Sequence, residues 1–398
     1  MVTLIGMGSG KWEALSTQAQ QAVRSAGLVF GAKRLLAGLP ADSMARQFAL
    51  YQPADILETL AQNPGQDAVV LYSGDTGFYS GASGLLTPLR ALGIPARVYP
   101  GVSSIQLLSA ALGRPWQDWK LVSAHGCACD PVAECMMNRS VFFLTGGTET
   151  PASLCQKLTD AGMGEAHGVV GENLGTEAEA IRYGSAAELA GQSFAPLSVL
   201  LVENFDLPQL RAPGFPDESF IRSEVPMTKQ EVRAAALAKL AVMPTDTLWD
   251  VGAGTGSVSV ELALAAPKGR VYAVECEPDA CELIRKNRAK FQTYNLILIE
   301  GRAPDVLADL PAPDAVFIGG TKGGMEAVLD EVLGKNPNAR ICISAIALET
   351  LGAAIAALTA RGLTAEVTQI AVSRTKPAGR LHLLMANNPI FLITGTRK

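Results

Sequence analysis

Asp250, Gly252, Gly254 and Gly256 crowd the stretch WDVGAGTGS, and Glu275 closes the next apolar run, VYAVE. Glycines directly after a strand let backbone approach a ligand that a Cβ would hold off, and a helix starting just beyond them turns free N–H groups into the same space. An acid at the end of the following strand can accept both hydroxyls of a ribose. The chemistry is that of a nucleoside site. The dinucleotide spacing Gly-x-Gly-x-x-Gly nevertheless fails, because Ser257 stands in its last place, and Asp250 would oppose a pyrophosphate.

A nucleoside without phosphates but with a positive centre satisfies those conditions, and S-adenosylmethionine is such a molecule. A second glycine loop opens the chain, VTLIGMGSGK, with Gly6, Gly8 and Gly10 after an apolar run. Here the same spacing fails and no acid occurs between Ala14 and Ala41, so a ribose partner is missing. A phosphate-binding Walker loop needs Gly-x4-Gly-Lys-Ser/Thr, and this stretch is one residue short and continues with Trp12. It fits neither kind of nucleotide loop.

The elements that would carry these loops are α/β. After residue 227, apolar runs of strand length alternate with helical periodicity: a helix in KQEVRAAALAKLAV, strand TLWDV, helix 257–266, strand RVYAVE, helix 278–291, strands NLILIE and DAVFIG, helix 324–333, strand ARICISAI and helix 348–360. That order predicts a doubly wound, mostly parallel sheet. The runs TAEVTQIAVSR and LHLLMAN follow with a short loop between them, which permits an antiparallel hairpin at the sheet edge. The N-terminal part reads as two small α/β subdomains, the first with strands at 2–6, 68–73 and 96–99 and a helix at 103–112, the second with SVFFLTG, GVVGENLG, EAIRYGS and LSVLLVEN. Between them and the C-terminal part, DLPQLRAPGFPDESFIRSEVPM carries four prolines and reads as a linker, giving domains 1–205 and 227–398 around a linker at 206–226.

At 398 residues with 48% hydrophobic content, the chain can build two or three cores. A formal charge of −5 argues against a general grip on nucleic acid or anionic lipid, and no stretch makes a convincing membrane span. The start offers no room for a signal peptide, and seven scattered cysteines suit a reducing cytoplasm. Cys127, Cys129 and Cys135 beside His125 invite a metal, but they lack paired Cys-x2-Cys knuckles, so no metal site is expected.

The C-terminal part resembles class I methyltransferases. MTKQEVRA, EGRAPD, FIGG and SRTKPAG, around the glycine loop, narrow the resemblance to the decarboxylating methyltransferases that act on precorrin-6B in cobalamin synthesis, over about 227–393. The first 205 residues resemble the tetrapyrrole methylases of the C5-methylating type, through the opening loop, LYSGDTGFYSGA, YPGVSSIQLLSAALG and SAHG. Together the halves resemble the decarboxylating precorrin-6Y C5,15-methyltransferases, which methylate carbons 5 and 15, remove carbon dioxide from the ring C acetate and lead to precorrin-8, with two S-adenosylmethionines. The resemblance implies precorrin-6B or its cobalt form as the macrocycle substrate.

The resemblance implies a role for each matching residue. Thr228 would face the methionine end, the run Gly252, Ala253, Gly254, Thr255 and Gly256 would line the cofactor, Glu275 would hold the ribose, and Ala303 would border the adenine. Gly319 and Gly320 would leave room for the substrate. In the N-terminal half the cofactor would touch Gly74, Asp75, Ser103, Ser104, Leu144 and Thr145, with Gly8 facing the macrocycle. Ordinary readings stand beside several of these: the two serines suit a helix cap, Asp75 an Asx turn, Gly319-Gly320 a plain turn, and Phe78 and Tyr79 packing. Arg374, Lys376 and Arg380 gather in one loop that could pair with the macrocycle's carboxylates or be a solvated basic hairpin. No catalytic base is singled out, since an electron-rich macrocycle attacking a sulfonium methyl needs mainly alignment and a dry site. A homo-oligomer is expected. A nicotinamide-dependent reductase and a noncatalytic regulator are the competing classes, disfavoured by the failed fingerprints and by the lack of any DNA-reading module.

Overall fold

The computed structural model describes residues 1–41, 43–204, 206–208, 212–321 and 323–397. Contacts divide the chain into two compact units: one of Met1–Cys129, Ser140–Gln156 and Gly164–Glu203, the other of Asp130–Arg139, Lys157–Met163 and Asn204–Lys398. Among the described residues no helix is long and apolar enough to cross a membrane.

The first unit holds two five-stranded sheets. In one, β1 (Val2–Gly6), β2 (Leu28–Phe30), β3 (Arg46–Phe48), β4 (Ala68–Tyr72) and β5 (Ala96–Tyr99) lie in the order β3-β2-β4-β1-β5, and every pairing is parallel. In the other, β6 (Lys120–Ser123), β7 (Ser140–Leu144), β8 (His167–Glu172), β9 (Ala180–Ser185) and β10 (Ser198–Glu203) lie in the order β6-β7-β10-β8-β9, and only β6 and β7 pair in parallel. The central strands β1, β4, β7 and β10 are almost wholly buried and rich in Val, Leu, Ile and Phe, as strands covered on both faces must be. The three-residue strands β2 and β3 carry too short a pattern to read from sequence.

The second unit is one seven-stranded sheet. It contains β11 (Thr247–Val251), β12 (Arg270–Glu275), β13 (Leu296–Glu300), β14 (Ala315–Ile318), β15 (Arg340–Ala345), β16 (Thr364–Ile370) and, beyond the hairpin strands β17 (Ser373–Ala378) and β18 (Leu381–Ala386), β19 (Ile390–Thr396). The order is β13-β12-β11-β14-β15-β19-β16, parallel through β15, with β19 antiparallel to both its neighbours. Strand order reverses between β11 and β14, so the carboxyl end of β11 is the switch point at which such sheets bind ligands. Apolar layers fill both faces, with Leu248, Ala273 and Phe317 in one and Trp249, Val274 and Ile318 in the other.

Two expectations need revision. The run TAEVTQIAVSR splits, its first part joining the sheet as β16 and its end becoming β17 of a separate two-stranded hairpin with β18, while β19 closes the sheet. The stretch expected as a linker is largely built into the second unit: Phe215 and Phe220 are 4% exposed in its core, Phe215 meeting Phe291 edge-on and Phe220 stacking on it. Residues 209–211 of that stretch lie outside the described residues.

Candidate active site

In the second unit the loop after β11 turns on left-handed glycines. At Gly252 φ is +73°, and a Cβ would lie 2.1 Å from the carbonyl oxygen of Gly320, so the loops after β11 and β14 meet backbone to backbone. At Gly254 φ is +56°, and its N–H donates to Glu275 Oε2 at 2.8 Å. Glu275, 8% exposed at the end of β12, also accepts from the N–H groups of Cys276 at 2.7 Å and Glu277 at 3.0 Å. The carboxylate thus ties the glycine loop to the neighbouring strand end and faces the cleft beside it.

That cleft, about 1390 Å3, is lined by Thr228, Gly252, Ala253, Gly254, Glu275, Ala303, Gly319 and Gly320 among others. Its volume exceeds the usual range for one small ligand, of roughly 300–1,000 Å3, and leaves space for a nucleoside and a macrocycle side by side. Both glycines of the pair border the cleft, but a Cβ at Gly320 would meet open space, whereas at Gly319 it would press within 3.1 Å of the Gly252 carbonyl oxygen. Thr255 and Gly256 lie behind the loop. Thr255 is 1% exposed, and Gly256, at φ +74°, sits where a Cβ would come within 2.9 Å of Ile284. Neither is among the residues that line the cleft, and Gly256 packs against the helix Pro278–Phe291.

Asp250 points away from the cleft. It is 1% exposed, accepts from the Ser259 hydroxyl and leaves Oδ1 without a partner among the described residues. Burial pushes its carboxyl from 3.8 up to about 7; the charge of Glu275 adds to this, and Ser259 opposes it. Because the folded value lies above the unfolded one, the stability this group contributes is complete below about pH 4 and is lost as pH rises to about 7. Asp250→Asn should remove that loss. Between pH 5 and pH 8, denaturant titrations of the C-terminal transition should show the wild type losing on the order of 2–3 kcal/mol relative to the variant. Parallel pH profiles would show that Asp250 is ionised in the fold.

In the first unit Gly8 and Gly74 exchange backbone hydrogen bonds of 3.1 and 3.0 Å, and a Cβ at Gly6 would meet Gly101 N at 2.6 Å and Gly74 O at 2.7 Å. The opening glycines therefore let the ends of β1, β4 and β5 converge. Above them lies a cleft of about 300 Å3 lined by Gly8, Gly74, Asp75, Ser103, Ser104, Leu144 and Thr145 among others. Asp75 accepts from Gly77 N at 2.8 Å and Gly101 N at 3.1 Å, so both its oxygens are spent on holding loops. Ser103 caps the helix Ser104–Leu112, its N–H donating to Gln106 Oε1 at 2.8 Å. Thr145 donates to the Ser198 carbonyl at 2.6 Å. The cap and turn readings are thus met by residues that also border the cleft.

The basic hairpin is a different matter. Arg374 donates to both oxygens of Glu231 at 3.0 and 2.8 Å and to Asp217 at 3.3 Å, away from the cleft lining. Those carboxylates raise its pKa, with the Glu231 hydrogen bond as the largest cause. Lys376 and Arg380 are exposed on the hairpin and do not line the cleft either. The cations that do line the two clefts, Arg34 in the first and Arg302 in the second, were not singled out by sequence: Arg34 lies outside the motifs that carry the resemblance, and within EGRAPD the adenine contact was assigned to Ala303 rather than to Arg302.

Comparison with known proteins agrees with this division. Residues 1–190 match the family described as tetrapyrrole (corrin/porphyrin) methylases, and residues 219–397 match the precorrin methyltransferase domain. A decarboxylating precorrin-6Y C(5,15)-methyltransferase from a Sinorhizobium species is 32% identical over 338 residues, 83% of this chain and 81% of that protein. A probable cobalt-precorrin-6B C(15)-methyltransferase (decarboxylating) from Pyrobaculum calidifontis is 46% identical over 187 residues, 46% of this chain and 95% of its own length. Among solved structures, a precorrin-6Y C5,15-methyltransferase from Geobacter metallireducens shares 37% identity over 48% of this chain and 100% of its own, with a TM-score of 0.46. With likeness to a two-activity relative running through both clefts, the chain belongs to the decarboxylating precorrin-6Y C(5,15)-methyltransferases, enzymes that transfer methyl groups in cobalamin synthesis.

Proposed function

We propose that the two activities are divided between the two clefts: methylation at C15 with loss of the ring C acetate carboxyl in the C-terminal one, and methylation at C5 in the N-terminal one, on precorrin-6B or its cobalt form. The observation that carries this reading is that each unit separately opens a strand-end glycine turn onto its own cleft. The boundary between the activities then falls near residue 205, with the stretch after Ala212 belonging to the C-terminal one.

S-adenosylmethionine, when bound, supplies an electrophilic methyl group. The residues fit it: at Gly252 and Gly254 the backbone comes close without a Cβ in the way, and Glu275 offers a carboxylate to ribose hydroxyls at the strand end. Thr228, the residues Val225 to Met227 before it, and Ala303 all line the cleft. What these residues do is align and desolvate. An aligned pair of reacting atoms removes much of the entropic barrier, and the electrons left by decarboxylation can enter the conjugated macrocycle without a protein base.

We also place the enzyme in the cytoplasm as a homo-oligomer. Seven cysteines scattered through a chain of this length suit a reducing compartment. The hairpin β17–β18 exposes Leu381 at 67%, Leu383 at 49% and Met385 at 51%, alternate residues that share one face of β18 and make an apolar stripe suited to a second copy of this chain.

Titration calorimetry with S-adenosylhomocysteine tests the two-cleft reading. Two molecules should bind per chain, and Glu275→Ala should weaken one site alone by on the order of 1.5–3 kcal/mol, the scale of hydrogen bonds to a charged group. A stoichiometry of one on a fully folded chain rules the reading out.

A further inference from the structure

A polycarboxylate macrocycle has to be held in one rotational setting, or the wrong bridging carbon meets the methyl donor. The N-terminal cleft has one feature suited to that task. The short helix Lys33–Leu36 follows β2; its Leu35 and Leu36 are buried at 2% and 9% exposure, and Arg34 is turned to the cleft. There Arg34 Nη2 donates to the Ser73 hydroxyl, directly before Gly74.

Among the described residues no carboxylate pairs with this guanidinium. Asp75, the acid on the cleft wall, has both oxygens engaged by backbone N–H groups. Arg34 is also the sole Lys or Arg among the described residues lining that cleft. A guanidinium steadied by a neutral hydroxyl, with no carboxylate on its other N–H groups among the described residues, is prepared for a carboxylate from outside. The same cleft is also lined by Tyr79, with φ at +47°, a conformation that bulky residues avoid unless their surroundings hold them there. Its hydroxyl donates to the Leu121 carbonyl at 3.2 Å, and its ring meets Phe78 edge-on at 4.9 Å, 52% exposed at the cleft wall. A fixed aromatic face and a guanidinium lining one cleft suit a flat, conjugated polyacid.

We propose that Arg34 binds one peripheral carboxylate of the tetrapyrrole substrate, with Tyr79 as a plate in the same cleft, and so determines which meso carbon is presented for methylation in the N-terminal cleft. This rests on the reading of that cleft as the C5-methylating one. The bidentate geometry matters as much as the charge, so lysine is an incomplete substitute.

The test uses the full-length enzyme with cobalt-precorrin-6B, following C5 methylation by mass and carbon-13 spectra, carbon dioxide release, and S-adenosylhomocysteine binding by calorimetry. Arg34→Met should raise the macrocycle KM of C5 methylation on the order of 10–100-fold, the loss expected for hydrogen bonds to a charged group. Arg34→Lys should fall between, and methyl label should begin to appear away from C5. Cofactor stoichiometry, cofactor affinity and carbon dioxide release should stay at wild-type values. An unchanged KM in Arg34→Met overturns the proposal, as does a parallel loss of cofactor affinity, which would make Arg34 part of the cofactor site or the fold. Gly74→Val separates this from a failure of the underlying reading: if C5 methylation survives blockage of that turn, the cleft is not the C5 site; if it is lost while Arg34→Met is unaffected, only Arg34 is misassigned.

Discussion

Gly254→Val should abolish carbon dioxide release and C15 methylation together, by more than about 100-fold, and leave C5 methylation intact on macrocycle already processed at C15. The residue stands at φ +56°, where any side chain is strained, and its Cβ would lie 3.2 Å from the Pro226 carbonyl oxygen. Valine adds two γ-carbons with one stiff rotamer, so the added bulk has little freedom to leave the space between loop and arm. The Gly254 N–H bond to Glu275 would loosen as the turn shifts, removing the ribose acceptor from register at the same time. Calorimetry should then count one S-adenosylhomocysteine per chain. Asp75→Ala should do the reverse. Freeing Gly77 and Gly101 from their shared carboxylate opens the N-terminal loops, and a decarboxylated, singly methylated product should accumulate. If carbon dioxide release survived in the glycine variant and failed in the aspartate variant, the assignment of activities to halves would be inverted.

What the sequence revealed and what it hid follow from the range of the interactions involved. The glycine turn of β11, the acid closing β12 and the helix Ser257–Ala265 were legible because each is written within a few neighbouring residues. The same is true of Asp75, whose bond to Gly77 N is an Asx turn and whose motif lies at the cleft wall. Partners far apart in sequence were not legible. Arg374 reads as a basic loop residue, yet its carboxylates at Glu231 and Asp217 lie more than 140 positions earlier, and nothing local announces them. Prolines and mixed charge made the stretch 212–226 look solvated, although its Asp217 is 3% exposed and its phenylalanines complete a core begun by Phe291. Charge in a proline-rich segment signals solvent only when no opposite charge waits in the fold.

Here the opposite charge is Arg233, and its replacement carries the other large expected effect. Arg233 is fully buried on the helix Gln230–Leu240, with its guanidinium 4.6 Å above the Phe220 ring. Nε donates to Glu261 at 2.7 Å and Nη1 to Asp217 at 2.9 Å, while the carbonyls of Thr228 and Phe215 take further bonds. Glu261 in turn accepts from the N–H groups of Gly214 at 2.6 Å and Phe215 at 3.1 Å. One side chain thus fastens both ends of the arm whose last residues, Val225 to Thr228, wall the cofactor cleft. Arg233→Met keeps the volume but leaves Glu261 buried without its cation and Asp217 with only the 3.3 Å bond to Arg374, and removing one member of such a group typically destabilises by about 3–5 kcal/mol. The C-terminal unfolding transition should therefore fall by that order. In protein still folded at low temperature, S-adenosylhomocysteine affinity should also drop at the C-terminal site alone, because the arm is no longer held against the glycine loop. Replacing Arg233, Asp217 and Glu261 together with Met, Leu and Leu should restore much of the stability, since no charge is then stranded, but not the affinity, since the bonds to Phe215 and Thr228 remain absent. Stability and affinity that recover together in the triple variant would mean that the arm is positioned by its apolar packing and that Arg233 serves only to neutralise its neighbours.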